Sequence, residues 1–171
     1  MGKGSFTRTV IGVDPPAADG TCGIVACALD AAGIGHVLAD HSVTARSPEG
    51  WARAVAAGAQ AHGASMVVAE RNQGGRMVGS VLRAAGVAVP VRPVHAALSK
   101  ADRADPVATL FEAGRVRLHG CFPELEAELC GLVSGGAYQG PGPSPDRADA
   151  MVWALTELML NQRTEPRVLQ L

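Results

Sequence analysis

The order of the predicted secondary-structure segments is the feature that most constrains the fold of this chain. Three segments rich in β-forming residues lie within residues 7–43, and only short turns separate them. Links this short favour an antiparallel meander. The pattern then changes, because Ser47 and Pro48 are typical of a helix N-terminus and helical and strand-like segments alternate up to residue 160. We therefore predict the order β-β-β-α-β-α-β-α.

This order of elements is that of the ribonuclease-H-like fold. We predict one α/β domain over residues 7–162, built on a mixed central sheet of about five main strands with helices on its faces. The length of 171 residues favours one domain and suffices for a sizeable core. Residues 1–6 are predicted to be a linker, and residues 163–171 a C-terminal tail.

Composition excludes several classes of protein. Hydrophobic residues make up 47% of the chain and charged residues 18%, as in a compact globular domain and not in a disordered one. No apolar run approaches the roughly 20 residues that span a bilayer, and the N-terminus lacks the apolar core of a signal peptide. We therefore expect a cytoplasmic protein with no membrane partner.

The cysteines and the net charge narrow the choice further. The four cysteines form no Cys-x-x-Cys pair, so reduced, packed thiols are favoured over a zinc site or disulfides. We expect Cys22 and Cys27 on opposite faces of one strand. The net charge of −1 is low for a protein that grips nucleic acid alone. Either the partner is not a polyanion, or another part of a larger assembly holds it.

Four carboxylates stand at the ends of predicted elements. Asp14 ends the first strand and Glu70 ends the next long strand, and these two strands lie side by side in the predicted sheet. Asp146 and Asp149 lie at the start of the final helix, in the motif SPDRADA, and residues three apart share one helix face. All four side chains are therefore predicted to meet near one edge of the sheet.

These carboxylates would repel one another unless cations lie among them. Oxygen ligands of this kind suit Mg²⁺ or Mn²⁺. Two such ions about 4 Å apart stabilise the attacking and leaving oxygens of phosphodiester cleavage. Three of the four residues also have a structural explanation: Asp14 can begin a turn, Glu70 can be a solvated strand end, and Asp146 can interact favourably with the helix dipole. Taken together, the four carboxylates are better explained as metal ligands.

Basic residues near the same elements are candidate contacts for a phosphate. Lys100 and Arg103 share one face near the start of a predicted helix. Arg71 and Arg76 flank the strand that ends in Glu70. A solvated helix face is the alternative explanation for the first two residues.

The histidines and tryptophans are not assigned to the site. The five histidines show no shared ligand spacing, so we assign them no metal. Trp51 and Trp153 are expected to pack in the core.

Two motifs carry a resemblance to a known family. They are ERNQGG at the end of a strand, residues 70–75, and SPDRADA at a helix start, residues 144–150. The stretches around them resemble the C-terminal nuclease domain of phage large terminase subunits, most closely those of prophage-like elements and gene transfer agents. The resemblance runs from about residue 7 to about residue 160, and it is loose in the meander.

The resemblance implies a ribonuclease-H-like metal nuclease that cuts concatemeric double-stranded DNA at the start and end of packaging. Asp14, Glu70 and Asp149 match the family's acidic triad. Asp146 matches a variable fourth position, three residues before the last aspartate. Residues 134–145 fall where the family has a flexible segment thought to regulate access to the cleft. The implied cofactor is Mg²⁺ or Mn²⁺, as two ions.

The resemblance also implies partners. A complete large terminase carries an N-terminal ATPase domain, and this chain lacks the Gly-x-x-x-x-Gly-Lys-Ser/Thr phosphate loop of such a domain. We therefore expect an excised nuclease domain, monomeric in isolation, in a bacterial host cell. Its partners in the full assembly are double-stranded DNA, the ATPase domain, the small terminase subunit and the portal. The low basic charge agrees with DNA being held mainly by the motor.

Three alternatives stay open. A RuvC-type Holliday-junction resolvase shares the fold and the acids but acts as a dimer on four-way junctions. A nucleotide-binding module is suggested by DGTCG at residues 19–23, which is similar to the phosphate loop of actin-like and sugar-kinase folds. Those proteins pair two such domains, and this chain is long enough for one. The third alternative is a catalytically silent scaffold of the same fold, against which the intact acids argue.

Overall fold

The computed structural model describes residues 6–16, 20–44, 46–71 and 76–161. The predicted tail and all but Phe6 of the predicted linker lie outside these ranges, so both remain predictions. The strands are β1 (Phe6–Asp14), β2 (Thr21–Asp30), β3 (Gly35–Asp40), β4 (Val43–Thr44), β5 (Met66–Glu70), β6 (Val91–Val94) and β7 (Val116–Leu118). The helices are α1 (Pro48–Ala61), α2 (Arg76–Ala84), α3 (Lys100–Glu112), α4 (Pro123–Gly131) and α5 (Asp146–Leu155), and α5 continues as a π-helix over Thr156–Leu160.

The strands form one mixed sheet in the order β6-β5-β1-β2-β3-β7, with the short β4 paired to the start of β2. Strands β1, β2 and β3 are antiparallel neighbours, as the short turns between them predict. Strand β5 runs parallel to β1, and β6 runs parallel to β5. The predicted α/β class, the mixed sheet and its flanking helices are confirmed. The apolar segment 87–94 contains Pro90 and Pro93, and the strand within it is limited to Val91–Val94.

Helices cover both faces of the sheet and enclose a core on each. Helices α1 and α2 pack on one face, over a core that includes Ile11, Cys22 and Trp51. Helices α3, α4 and α5 pack on the other face, over a core that includes Cys27 and Trp153. The two strand cysteines therefore face opposite cores, as their spacing predicts. Both tryptophans are buried, and Trp153 has an additional role at the site.

Serine side chains begin two of the helices. Ser47 Oγ accepts a hydrogen bond of 3.2 Å from the Gly50 N–H at the start of α1. Ser99 Oγ accepts one of 3.1 Å from the Asp102 N–H at the start of α3. These caps satisfy backbone donors that have no partner within the helix. The cap of α3 fixes where the helix begins, so that Lys100 is its first residue.

Two glycines let α5 approach the sheet closely. A Cβ atom on Gly12 of β1 would collide with the Ala150 carbonyl oxygen, and one on Gly23 of β2 would collide with the Asp146 carbonyl oxygen. Any larger residue at either position would push the helix away from the strands. The two glycines therefore seat the first turns of α5 directly on β1 and β2, beside the end of β1.

The segment that suggested nucleotide binding is partly built into the sheet. Thr21 and Cys22 pair with β4, and Gly23 pairs with Asp14 of β1. Asp19, the first residue of that segment, lies outside the described residues. Residues 21–23 therefore serve as strand, which gives the nucleotide-binding alternative no support.

Candidate metal centre

Three acidic side chains converge at one edge of the sheet. Asp14 ends β1, Glu70 ends its parallel neighbour β5, and Asp149 lies on α5. One carboxylate oxygen from each lies within 4.8 Å of the others, and this is the one group of potential metal ligands found in the described part of the chain. The side chains of Asp14 and Asp149 are 5% and 0% exposed, so the cluster lies in a largely dry setting.

Asp146 lies beside this cluster and is not a member of it. Its side chain is 17% exposed, and its Oδ1 accepts a hydrogen bond of 2.8 Å from Lys100 Nζ. Asp146 and Asp149 share a face of α5, as their spacing predicts, but Asp149 is the deeper of the two. The structure therefore separates a buried group of three carboxylates from a fourth at its edge.

Lys100 reaches into the acidic group from the start of α3. Its Nζ donates to Asp14 Oδ2 at 2.5 Å and to Ser144 Oγ at 3.0 Å, and it lies 3.6 Å from Asp149 Oδ2. Ser144 therefore does not cap α5 in the way that Ser47 caps α1, although each serine is followed by a proline and an acidic residue. The capping position of α5 is Pro145, which has no side-chain hydrogen bond there, and the hydroxyl of Ser144 is engaged by the lysine.

Arg103 is the second basic residue of α3 that contacts the acids, and it binds Asp149 and Glu70. Its Nη2 donates to Asp149 Oδ2 at 2.5 Å and to Glu70 Oε2 at 3.3 Å, while its Nε donates to Asp149 Oδ1 at 3.3 Å. The guanidinium carbon lies 4.8 Å from the ring centre of Trp153, so the planar group stacks on an aromatic face. Trp153 Nε1 donates to Glu70 Oε2 at 3.0 Å. Arg103 and Trp153 thus fix Glu70 and Asp149 together.

Trp153 and Ser144 contribute to this site although neither is among the residues predicted for it. Trp153 packs in the core as predicted, and it also follows Asp149 by four residues, a spacing that places both on one helix face. That spacing was the available signal for its contact with Glu70. No comparable signal identified Ser144 as a partner of Lys100, because 44 residues separate them.

Arg71 and Arg76 are the two other basic residues predicted near the site. Arg71 is exposed at the end of β5, where its backbone N–H donates to the Val94 carbonyl. Arg76 begins α2, and its side chain lies outside what the structure describes, as do residues 72–75. Both proposed phosphate contacts remain predictions.

Burial shifts the pKa values of the two deepest acids. Removal from water raises the pKa of Asp14 well above its ordinary value, and the Lys100 charge opposes this shift. Burial likewise raises the pKa of Asp149 to about 6, against the opposing charges of Arg103 and Lys100. A raised pKa means that ionised carboxylates are costly here, and bound cations lower that cost.

The donor set fits a hard divalent cation. Asp14, Glu70 and Asp149 offer carboxylate oxygens alone, the ligands that Mg²⁺ and Mn²⁺ prefer. Buried acids with raised pKa values have most to gain from a bound cation. The expected cofactor class, Mg²⁺ or Mn²⁺, therefore agrees with the residues present.

The segment over residues 134–145 packs against the end of α4. The Gln139 N–H donates to the Gly131 carbonyl at 2.9 Å, and the Tyr138 hydroxyl donates to the Pro141 carbonyl at 2.8 Å. Its last residues lead through Ser144, which contacts Lys100, into α5. The segment is therefore linked to the acidic group, which agrees with the predicted role in access to the cleft without testing it.

The fold and this site together define a ribonuclease-H-like domain with an acidic centre suited to divalent metal. Residues 11–158 match the family described as the terminase RNaseH-like domain, and the chain belongs to that family. The resemblance drawn from ERNQGG and SPDRADA is thereby confirmed. No curated protein matches the chain by sequence.

Solved structures of low sequence identity share the fold. The large terminase nuclease of thermophilic phage G20c with bound magnesium is 19% identical, with a TM-score of 0.68 over 88% of this chain and 81% of that one. The human cytomegalovirus terminase nuclease domain, soaked with Mn, is 12% identical, with a TM-score of 0.66 over 92% and 87%. The yeast mitochondrial Holliday junction resolvase Ydc2 is 10% identical, with a TM-score of 0.59 over 91% and 81%.

Among the described residues, no helix is both long and apolar enough to cross a membrane. That finding agrees with the absence of a long apolar run in the sequence.

Proposed function

We propose that this domain is a metal-dependent endonuclease that cuts concatemeric double-stranded DNA during genome packaging. The observation that carries the proposal is the convergence of Asp14, Glu70 and Asp149, in a chain of the terminase RNaseH-like family. Two of these acids end adjacent parallel strands and the third lies on a helix seated against them. Such rigid support holds ligands in a fixed geometry.

The chemistry follows from what these residues would hold. The acids would hold two divalent cations, which would supply an activated water and charge stabilisation for the leaving oxygen in phosphodiester hydrolysis. Asp14, which ends a central strand, would be one of the residues that hold them. Glu70 and Asp149 would be the others, with Asp146 at the more exposed edge. Arg103 and Trp153 hold two of the acids in place before any ligand arrives.

The proposed partners extend the same interpretation. We propose that DNA reaches the acidic group from the edge where Lys100 and Arg71 lie, and that an ATPase domain, a small terminase subunit and a portal complete the assembly in the cytoplasm of a bacterial host. Arg103 is a weaker candidate for a phosphate contact, because its guanidinium is already engaged by Asp149 and Glu70. An origin in a phage or gene transfer agent follows from the resemblance alone.

A Holliday-junction resolvase is the second candidate, because the fold of the yeast resolvase is also similar to this chain. The two terminase nuclease domains have the higher TM-scores, and the family match is to terminases. A resolvase would prefer four-way junctions to linear duplex, which separates the two functions in one assay.

The test is plasmid cleavage by the purified domain with Mg²⁺, Mn²⁺ or EDTA. We expect metal-dependent cutting that Asp14→Asn and Asp149→Asn each reduce by about 100-fold or more. Glu157→Gln is the matched control, because it neutralises another buried carboxylate, on the π-helical continuation of α5, whose partners lie outside the acidic group.

Two results would contradict the proposal. One is equal cutting by the wild type and both aspartate variants, and the other is the absence of cutting by a folded domain with either metal. Faster cleavage of synthetic four-way junctions than of linear duplex would instead favour the resolvase.

A further inference from the structure

The two basic residues of α3 that enter the acidic group are held in different ways. We propose that Lys100 is an exchangeable counter-ion, which leaves the carboxylates when a divalent cation binds, whereas Arg103 stays and positions Glu70 and Asp149. This inference rests on the proposed function, because it assumes that the acids are metal ligands. It assigns opposite roles to two positive charges three residues apart on one helix.

Arg103 has contacts that do not depend on the acids. Its Nη1 donates to the Leu98 carbonyl at 2.7 Å, and its guanidinium stacks on Trp153. The side chain is 8% exposed. Because a backbone carbonyl and an aromatic ring hold it as well, the guanidinium would stay in place if a metal took over part of the carboxylate charge.

Among the contacts that the structure describes, the only one that Lys100 Nζ makes outside the acids is to the Ser144 hydroxyl. Its Nζ contacts Asp14, Asp146, Asp149 and the Ser144 hydroxyl. The side chain is 28% exposed and stands on a flexible stem in the first turn of α3. An ammonium is a compact point charge that moves readily, unlike the planar guanidinium fork. Lys100 is therefore the residue of the two that can leave.

The lysine contacts two of the carboxylates that a metal would need. Asp14 and Asp149 are two of the three potential ligands, and Lys100 Nζ lies 2.5 Å and 3.6 Å from their Oδ2 atoms. A divalent cation bound by the same oxygens would meet the ammonium at close range. Like charges at such distances repel strongly in a buried setting. Metal and ammonium therefore compete for one position.

The net charge of the acidic group also supports different roles for Lys100 and Arg103. Counted as ionised, Asp14, Glu70, Asp146 and Asp149 carry four negative charges, and Lys100 and Arg103 supply two positive ones. The net charge of this group is therefore −2 with Lys100 in place and −3 without it. Removing Lys100 leaves more negative charge for metal, and keeping Arg103 preserves the arrangement that binds it. An ammonium released at this exposed edge would be free to contact a DNA phosphate.

The test is Mn²⁺ binding by titration calorimetry, with metal-stripped wild type, Lys100→Met, Arg103→Met and Arg103→Lys. If charge alone mattered, both methionine variants would bind Mn²⁺ more tightly. We expect Lys100→Met to bind about tenfold more tightly and Arg103→Met about tenfold more weakly, since each removes contacts to charged groups of that size. Arg103→Lys should fail to restore binding, because an ammonium cannot contact both acids as a fork. Arg117→Met, on the exposed face of β7, is the control and should leave affinity unchanged.

A second measurement uses the wild type alone, so it does not depend on how a variant folds. The chain has two lysines, Lys3 and Lys100. Amine acetylation read by mass spectrometry should increase several-fold at Lys100 when Mn²⁺ is added, relative to Lys3. Unchanged reactivity would overturn the proposal, as would tighter binding by both methionine variants or weaker binding by Lys100→Met. A wild type that binds no Mn²⁺ would overturn the proposed function as well, which distinguishes the two failures.

Discussion

Two buried carboxylates on the last helical segment, Glu157 and Asp149, differ in how many positive charges lie beside them relative to the number of acids. Glu157, on the π-helix that continues α5, accepts from Arg8 at 2.7 Å and from Arg92 at 2.5 Å. Asp149, eight residues earlier, shares Lys100 and Arg103 with three other acids. One carboxylate is matched by two guanidinium groups, whereas four carboxylates are matched by two cations.

This difference separates a structural ion pair from a site. At Glu157 the charge is already compensated, and the pair joins β1 and β6 to the end of the helix, so an added cation would be repelled. At Asp149 the acids are in excess, and burial raises the pKa of Asp149 to about 6 instead of letting it ionise freely. Burial of an acid is therefore not enough to indicate a metal ligand. The local excess of acid over base is what distinguishes the two ends of the segment.

The largest expected effect comes from the glycine that seats the Asp149 end on the sheet. Gly12→Ala should lower the free energy of unfolding by about 3 kcal/mol, because the added Cβ meets the Ala150 carbonyl oxygen and overpacks a backbone contact. It should also weaken Mn²⁺ binding by displacing Asp149 from Asp14. Chemical denaturation and calorimetry measure both.

The control for that variant is the same substitution on α2. A Cβ on Gly79 would meet only the end of the Arg83 side chain, at 3.5 Å. Gly79→Ala should therefore raise stability slightly, by about 0.5 kcal/mol, through helix propensity. If both variants had equal effects, the close approach of α5 would not be what sets the site.

The next effect tests the Glu157 end. Glu157→Gln should cost about 2 kcal/mol of stability, because it removes charge-assisted hydrogen bonds to two arginines. The rise in Tm that Mn²⁺ produces should remain the same as in the wild type. Thermal melts with Mn²⁺ and with EDTA measure this, and loss of the Mn²⁺ effect would place Glu157 within the metal centre.

A smaller effect is the pH dependence of metal stabilisation. The folded pKa of Asp149, about 6, lies above the unfolded value of 3.8, so the metal-free folded state binds more protons between these values. Metal binding requires the ionised form, so protons compete with Mn²⁺ as the pH falls. From about pH 7.5 to about pH 5.5 the Mn²⁺ contribution should fall by about 1 kcal/mol from this residue alone. A contribution that grew on acidification would contradict the predicted sign.

The smallest effect is expected at the partly exposed fourth acid. Asp146→Asn should weaken Mn²⁺ binding only several-fold, by less than about 1 kcal/mol, because exposed charge pairs are screened. The asparagine side chain keeps a carbonyl oxygen that can accept a hydrogen bond from Lys100 Nζ. If Asp146→Asn had as large an effect on affinity as Asp149→Asn, the division between a buried three and an outer fourth would be wrong.

Much of the site was predictable because its members mark the ends of elements. Asp14 and Glu70 close two strands that the order of elements makes neighbours, and Asp146 and Asp149 share a helix face. The positions of Lys100 and Arg103 among the acids were not predictable, because they depend on how α3 packs against α5. Nothing in the sequence predicts that Lys100 contacts Asp14, which lies 86 residues earlier in the chain.

The contacts between histidines were likewise not predictable from the sequence. No sequence spacing related them, yet His36 and His119 share a hydrogen bond of 2.7 Å, and His41 and His62 share one of 2.8 Å. These pairs join elements that are distant in sequence, such as β3 to the segment after β7. Residue spacing along one helix or strand can be inferred from a sequence, but spacing between elements depends on packing that a sequence does not display.

The measurement that tests the central claim most directly is Mn²⁺ binding by calorimetry to the wild type, Asp149→Asn and Glu157→Gln. Because Asp149→Asn removes a charged ligand from the group with excess acid, we expect an affinity loss of about 100-fold. The compensated charge at Glu157 predicts an affinity within about threefold of the wild type in Glu157→Gln. Equal losses in the two variants, or binding that Asp149→Asn leaves intact, would contradict the account.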